Sequence, residues 1–333
     1  MPGPERALPD DWLIGASSFN WTPDVVRAQR SVPDIAVGIA TARVAEVLEL
    51  EAGQVWRSFP VPGDDEVDAL RDALDAVGGR VSIVGASIDD FLSPSRRRSD
   101  DERLAFLEPQ LRAAHRVGAW GLRLPFGQPG RPLLERVQPL LHELDLTLYE
   151  EIQGQQSLTD PAVDTIRELA NDHIRLLVDT SMFMPALPPS YLERLRHGGV
   201  PEPLVGRLTD AWLDPHTHQM VVDQLRSGTV PDAVRTLYMN LLVRFGRADV
   251  AELRDVMDVV AGFHLKFWDL DDAGDRVSGP IRELGRLLAG TGFSGTLTSE
   301  WGGHEWLEQD PTTTTRQHLE LARRALADGV AAA

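Results

Sequence analysis

The chain has 333 residues, a formal net charge of −18 and no cysteine. That charge argues against a nucleic-acid surface, which needs a basic patch, and the missing thiols exclude a disulfide framework or thiolate chemistry. No run of about 18 apolar residues could span a bilayer, and the opening Met-Pro-Gly-Pro-Glu-Arg lacks a signal peptide's basic and apolar regions, so the expected location is the cytoplasm.

Taken in order, apolar β-rich runs alternate with amphipathic stretches. Residues 12–16 read as the first strand. A helical stretch follows Pro23, divides at Pro33 and runs on to Leu50. Residues 54–59 read as the second strand, and 64–77 as a helix with an acidic start, closed by Gly78 and Gly79. The third strand is 80–84, with Asp89 and Asp90 in its exit loop and Arg96, Arg97 and Arg98 in a solvated loop beyond. A helix over 101–117 leads to the fourth strand, 121–124, with Arg123 near its end. A helix over 132–144 contains Pro139 and should kink there. The fifth strand starts at Leu146, and Asp160 and Pro161 open the next helix. Strands six, seven and eight are 174–179, 263–266 and 295–300, with helices over 280–288 and 312–326. Eight such units predict a (β/α)8 barrel, one domain over 1–333. Segment 181–261 is far longer than a crossover helix requires. It leaves the face where such barrels build their sites, so it is expected to be a lid or a partner-binding arm.

The ends of strands five to eight carry acids and one imidazole: Glu150 and Glu151, then Asp179, then His264 with Lys266, then Glu300. Carboxylates with one histidine suit a hard or borderline divalent cation such as Mn²⁺, Mg²⁺ or Zn²⁺. The expected ligands are Glu151, Asp179, His264 and Glu300. Strand alternation sends Glu150 and Glu151 opposite ways, so only one points inward. Lys266 is the one lysine among 33 basic residues. Arginine cannot replace lysine where a compact, tunable ammonium is needed, which points to a catalytic role. Two residues apart, His264 and Lys266 share a strand face, so Lys266 should meet neighbouring acids or a developing oxyanion. Trp301, Trp268 and Trp56 sit near strand ends, where their rings are expected to line a pocket or pack the core. His304 and Arg123 are candidates for binding substrate oxygens, as is Gln153 beyond strand five. His216 and His218 read as helix-surface residues.

The four stretches resemble the xylose-isomerase-like superfamily of sugar isomerases and epimerases, which also holds the endonuclease IV group. They read Glu151-Ile-Gln-Gly154, Asp179-Thr180, His264-Leu-Lys266 and Ser299-Glu300. The resemblance implies the barrel fold and selects Glu151 over Glu150. It implies a divalent ion, Mn²⁺ first and Mg²⁺, Co²⁺ or Zn²⁺ in its place, that polarises a keto sugar and stabilises its enediolate. By the same resemblance Glu151 and Glu300 are the proton-transferring pair. Two positions differ from many relatives: Gln153 and Met182 stand where those have histidine.

A narrower resemblance joins segment 181–261, His264 to Asp272 and Ser299 to His304 to the α subunit of bacterial C-glycoside deglycosidases. It implies a carbon–carbon bond-cleaving lyase acting on a 3-oxo-glycoside beside a small β subunit. The alternatives are a sugar isomerase or epimerase of the ketose 3-epimerase type and a non-catalytic binding barrel; in place of the β subunit, the expected partner is a second copy of this chain. A nuclease of the same fold would need more histidine ligands and a basic face.

Overall fold

The computed structural model describes residues 8–28, 30–88 and 90–333; Asp89 and the first residues of the chain lie outside the described residues. Eight parallel strands close into a barrel: β1 (Trp12–Ser17), β2 (Val47–Glu51), β3 (Val81–Gly85), β4 (Gly121–Pro125), β5 (Thr147–Ile152), β6 (Ile174–Asp179), β7 (Val260–Phe267) and β8 (Gly295–Trp301). Each strand pairs with the next, and β8 closes on β1. Helices follow the strands, and four of them start at side-chain caps: Ser31, Ser99 with Glu102 in a capping box, Asp160 and Asp310. Among the described residues no helix is long and apolar enough to cross a membrane.

The strands are buried on both faces, which is why they read as apolar runs. Outward residues such as Leu48, Leu50, Leu122, Leu148, Val178, Phe263 and Leu297 pack under the helices. Inward, Ile83, Tyr149 and Leu177 form an apolar floor. Above them, at the C-terminal strand ends, the interior turns charged. Register sets the height of that layer: Asp179 pairs with His264, and Glu300 with Lys266.

One strand differs from the sequence reading. Residues 54–59 are not the second strand, and no helix reaches Leu50; the helices before it are Thr22–Val26 and Val32–Thr41. The strand is Val47–Glu51, and Ala52–Val55 is a single helical turn. In Val-Leu-Glu-Leu-Glu the leucines face the helices while Glu49 and Glu51 face a charged interior. That inverts the usual rule that charge marks the solvent side.

Between β6 and β7 the chain forms helices Pro189–His197, Glu202–Asp210 and Pro215–Arg226, then short turns ending at Val250–Asp255. This excursion has its own apolar cluster, with Tyr191, Leu208, Trp212, Tyr238 and Phe245, joined to the barrel by Trp268 after β7. The Phe245 ring lies edge-on to Tyr191 at 4.7 Å and to Trp268 at 4.8 Å. Main-chain bonds tie the returning segment of the excursion to the loops after β5 and β6. Gly246 N–H donates to Ser181 O at 2.7 Å, and Gln155 N–H to Val243 O at 3.1 Å. A side chain at Gly154 (φ +58°) would put its Cβ 2.0 Å from Val243 O, so this approach requires glycine. From the β8 loop, Glu305 holds Arg244 and Asn240 of the excursion.

Candidate metal centre

Strands β5 to β8 bring Glu151, Asp179, His264 and Glu300 together, with one donor atom from each lying within 4.8 Å of all the others. All four are buried; none is more than 7% exposed. His264 Nδ1 is 2.9 Å from Glu151 Oε1 and 2.6 Å from Glu300 Oε2. One ring nitrogen carries one proton or one lone pair, so it can satisfy only one of these oxygens. Glu300 Oε2 and Asp179 Oδ2 are buried without a hydrogen-bond partner. Orphaned carboxylate oxygens of this kind need a compensating group. Three carboxylates and an imidazole fit a divalent cation of the Mn²⁺, Mg²⁺ or Zn²⁺ kind.

Lys266 reaches the same layer. Its Nζ lies 2.7 Å from Glu300 Oε1 and 3.9 Å from Asp179 Oδ2, and 5.0 Å from the centre of the Phe19 ring. Burial disfavours the ammonium, but Glu300 and Asp179 outweigh it and raise the Lys266 pKa. Burial likewise opposes charge on Glu300 and Glu151. For Glu300 the Lys266 and His264 charges prevail, and for Glu151 those of Arg123 and His264, so both carboxyls are held low. At Asp179 burial wins over Lys266 and the pKa rises.

Sequence reasoning missed β2. Glu49, fully buried, accepts from His264 Nε2 at 2.8 Å and from Arg123 Nε at 2.7 Å. Arg123 donates to Glu151 Oε2 at 2.6 Å and also to Glu51. The signal is the Leu-Glu-Leu-Glu alternation over 48–51, which lies upstream of the stretch read as the strand. Gly85 on β3 leaves room for this network; a Cβ there would lie 2.4 Å from Glu51 Oε2. Burial, partly offset by Arg123, pushes Glu51 up to about 7.

The remaining candidates fall in different places. Arg123, expected at substrate oxygens, has Nε and both terminal nitrogens on carboxylates. Trp301 is fully buried, donates to Trp268 O at 2.9 Å and stacks on Phe267, so its ring packs instead of facing an opening. Trp56 and Trp268 are buried as well. His304 is half-buried, edge-on to Phe19 at 4.8 Å, and burial holds it near 4. Gln153 is half-buried in the loop after β5, its N–H bonded to Gln156. Glu150 turns away from the centre to accept from Gly127 N–H at 2.7 Å. His216 is exposed on its helix, while His218 contacts Arg247 at 2.9 Å.

No family model matches the chain. It is 28% identical over 329 residues to the C-glycoside deglycosidase alpha subunit of Arthrobacter globiformis, covering 95% of this chain and 93% of that protein. It is 26% identical over 330 residues to the 3'-dehydrocarminate deglycosidase alpha subunit of a Microbacterium species, covering 93% and 94%. A solved xylose isomerase domain protein from Planctomyces limnophilus shares the fold, with a TM-score of 0.54 at 14% identity over 97% of this chain and 99% of that one. The relatives reported carry the deglycosidase alpha-subunit name, and the barrel fold is shared with the solved xylose isomerase domain protein.

Proposed function

We propose that this chain is the α subunit of a metal-dependent C-glycoside deglycosidase. It takes the proton beside the ketone of a 3-oxo-C-glycoside, and the bond between sugar and aglycone carbon then breaks. The observation that carries this reading is the buried group Glu151, Asp179, His264 and Glu300 with Lys266 against it, in a chain similar end to end to two deglycosidase alpha subunits. A divalent cation held by the four residues, Mn²⁺ by preference, would draw electron density from a neighbouring ketone and acidify the adjacent C–H. Glu151 or Glu300 receives that proton. The electron pair moves toward the ketone oxygen, where the Lys266 ammonium supplies a point charge. Its return expels the aglycone carbon, which takes up a proton, and leaves a carbon–carbon double bond in the sugar. His304 and Gln153 are the side chains we assign to the sugar's remaining oxygens. The relatives' designation as alpha subunits supports a small β partner, and we assign its docking to the excursion over 181–261.

A second reading, a ketose 3-epimerase type enzyme, draws on one observation: Glu151 and Glu300 converge on the same nitrogen of His264, as a pair facing one carbon would. One experiment separates the two. Mn²⁺-loaded protein, co-expressed with the reading frame beside its own, is incubated in D₂O with 3-oxo-C-glycosides and free keto sugars. The deglycosidase reading expects free aglycone. Deuterium incorporation with an epimeric product and no aglycone favours the epimerase, and neither outcome across the panel leaves a binding barrel.

A further inference from the structure

We infer that Glu49 is a positioning residue that sets two of the four cation ligands at once, an inference that rests on the reading of this cluster as a metal site. Glu49 stands on β2; β1 and β8 separate it from β7 in the barrel wall. It nevertheless spans the interior to His264. Four side chains from four strands form a closed ring. Glu49 Oε2 meets His264 Nε2 at 2.8 Å, and His264 Nδ1 meets Glu151 Oε1 at 2.9 Å. Glu151 Oε2 accepts from Arg123 Nη1 at 2.6 Å, and Arg123 Nε returns to Glu49 Oε1 at 2.7 Å.

The ring has a directional consequence. Glu49 is an acceptor at both oxygens, so the Nε2 of His264 must be the donor and Nδ1 is the nitrogen left for an ion. Arg123 is planar and clamped by Glu49 and Glu51. Its remaining nitrogen takes one oxygen of Glu151 and leaves the other facing Nδ1. A cation held by His264 and Glu151 would take the place of the link between those two, while the other three links hold both side chains in place. Glu49 is fully buried. It therefore acts through His264 and Arg123 and not on substrate. A carboxylate is required: the amide group of a glutamine would turn a donor toward either His264 Nε2–H or Arg123 Nε–H.

Glu49→Gln, Glu51→Gln and the wild type, each as the intact metal-depleted chain, are titrated calorimetrically with Mn²⁺. Histidine-selective ¹⁵N NMR of the Zn²⁺-loaded proteins follows the His264 Nε2–H signal. If Glu49→Gln does not fold, Glu49→Asp takes its place, shortening the same reach. The expected result is a loss of Mn²⁺ affinity of about 10- to 100-fold, the range for a group that orients a metal-bound histidine, with the Nε2–H signal displaced. Glu51→Gln touches Arg123 but not His264, so it should weaken binding less and leave that signal in place. A folded Glu49 variant with wild-type affinity and an unmoved signal overturns the inference. A wild type that takes up no ion overturns the metal reading beneath it.

Discussion

Lys266 shows what one side chain can decide. It is the chain's single lysine, and its ammonium bridges Glu300 and Asp179 over the ligand layer. Its stem is buried, and a Cβ at residue 302 would crowd Lys266 Cε at 3.3 Å, so glycine there gives the lysine its room. Lysine here is a compact charge that an arginine fork does not reproduce. Lys266→Met and Lys266→Arg should both fold and bind metal, because neither removes a ligand. Turnover should fall about 10²-fold or more in each, the size of effect seen when one oxyanion donor is lost. Steady-state kinetics beside elemental analysis measures this. Near-normal turnover in Lys266→Arg would reduce the lysine to one member of an ion pair.

At the scale of elements, β5 to β8 were legible because each is an apolar run that ends in, or carries, its acid or histidine. β2 was not, because its inward positions are acids, and an acid in a leucine-rich stretch reads as a helix's wet face. The ring through Glu49 could not be read for the same reason, and because it joins residues more than 200 positions apart, Glu49 and His264. The excursion was legible in its length but not in its architecture. Its cluster depends on Trp268, which belongs to the barrel side of the boundary. Phe245 is the keystone, fully buried between Tyr191, Trp212 and Trp268. Phe245→Ala should cost about 3–5 kcal/mol, the usual range for a buried phenylalanine. Hydrogen exchange should report that loss chiefly in residues 184–245, with the barrel strands kept protected. Equal loss of protection in β1 to β4 would show that the excursion and the barrel unfold as one unit.

For the whole molecule, a cation held at the strand ends would tie four strands and the fold's stability to one small ion. Anything that binds the native state alone stabilises it, by about 2.7 kcal/mol at a hundred times Kd. The net charge of −18 adds a field that favours cation capture. Protons compete for the same place. In the metal-free chain, burial works against charge on His264, but Glu49, Glu300 and Glu151 hold its pKa well above the ordinary histidine value. An ion held by Nδ1 would have to displace that proton. Below the raised pKa the metal-free protein would therefore carry one more proton than the loaded one. Affinity must then rise with pH, by up to about tenfold per unit for one proton displaced. Melting temperatures recorded with Mn²⁺ and with chelator across the neutral range test this. The gap between the two should widen as pH increases and vanish in His264→Ala. A gap that ignores pH would mean that no proton leaves His264 and that the ion sits elsewhere. No gap at all would mean that the converging carboxylates balance their charge through Lys266 and Arg123 alone.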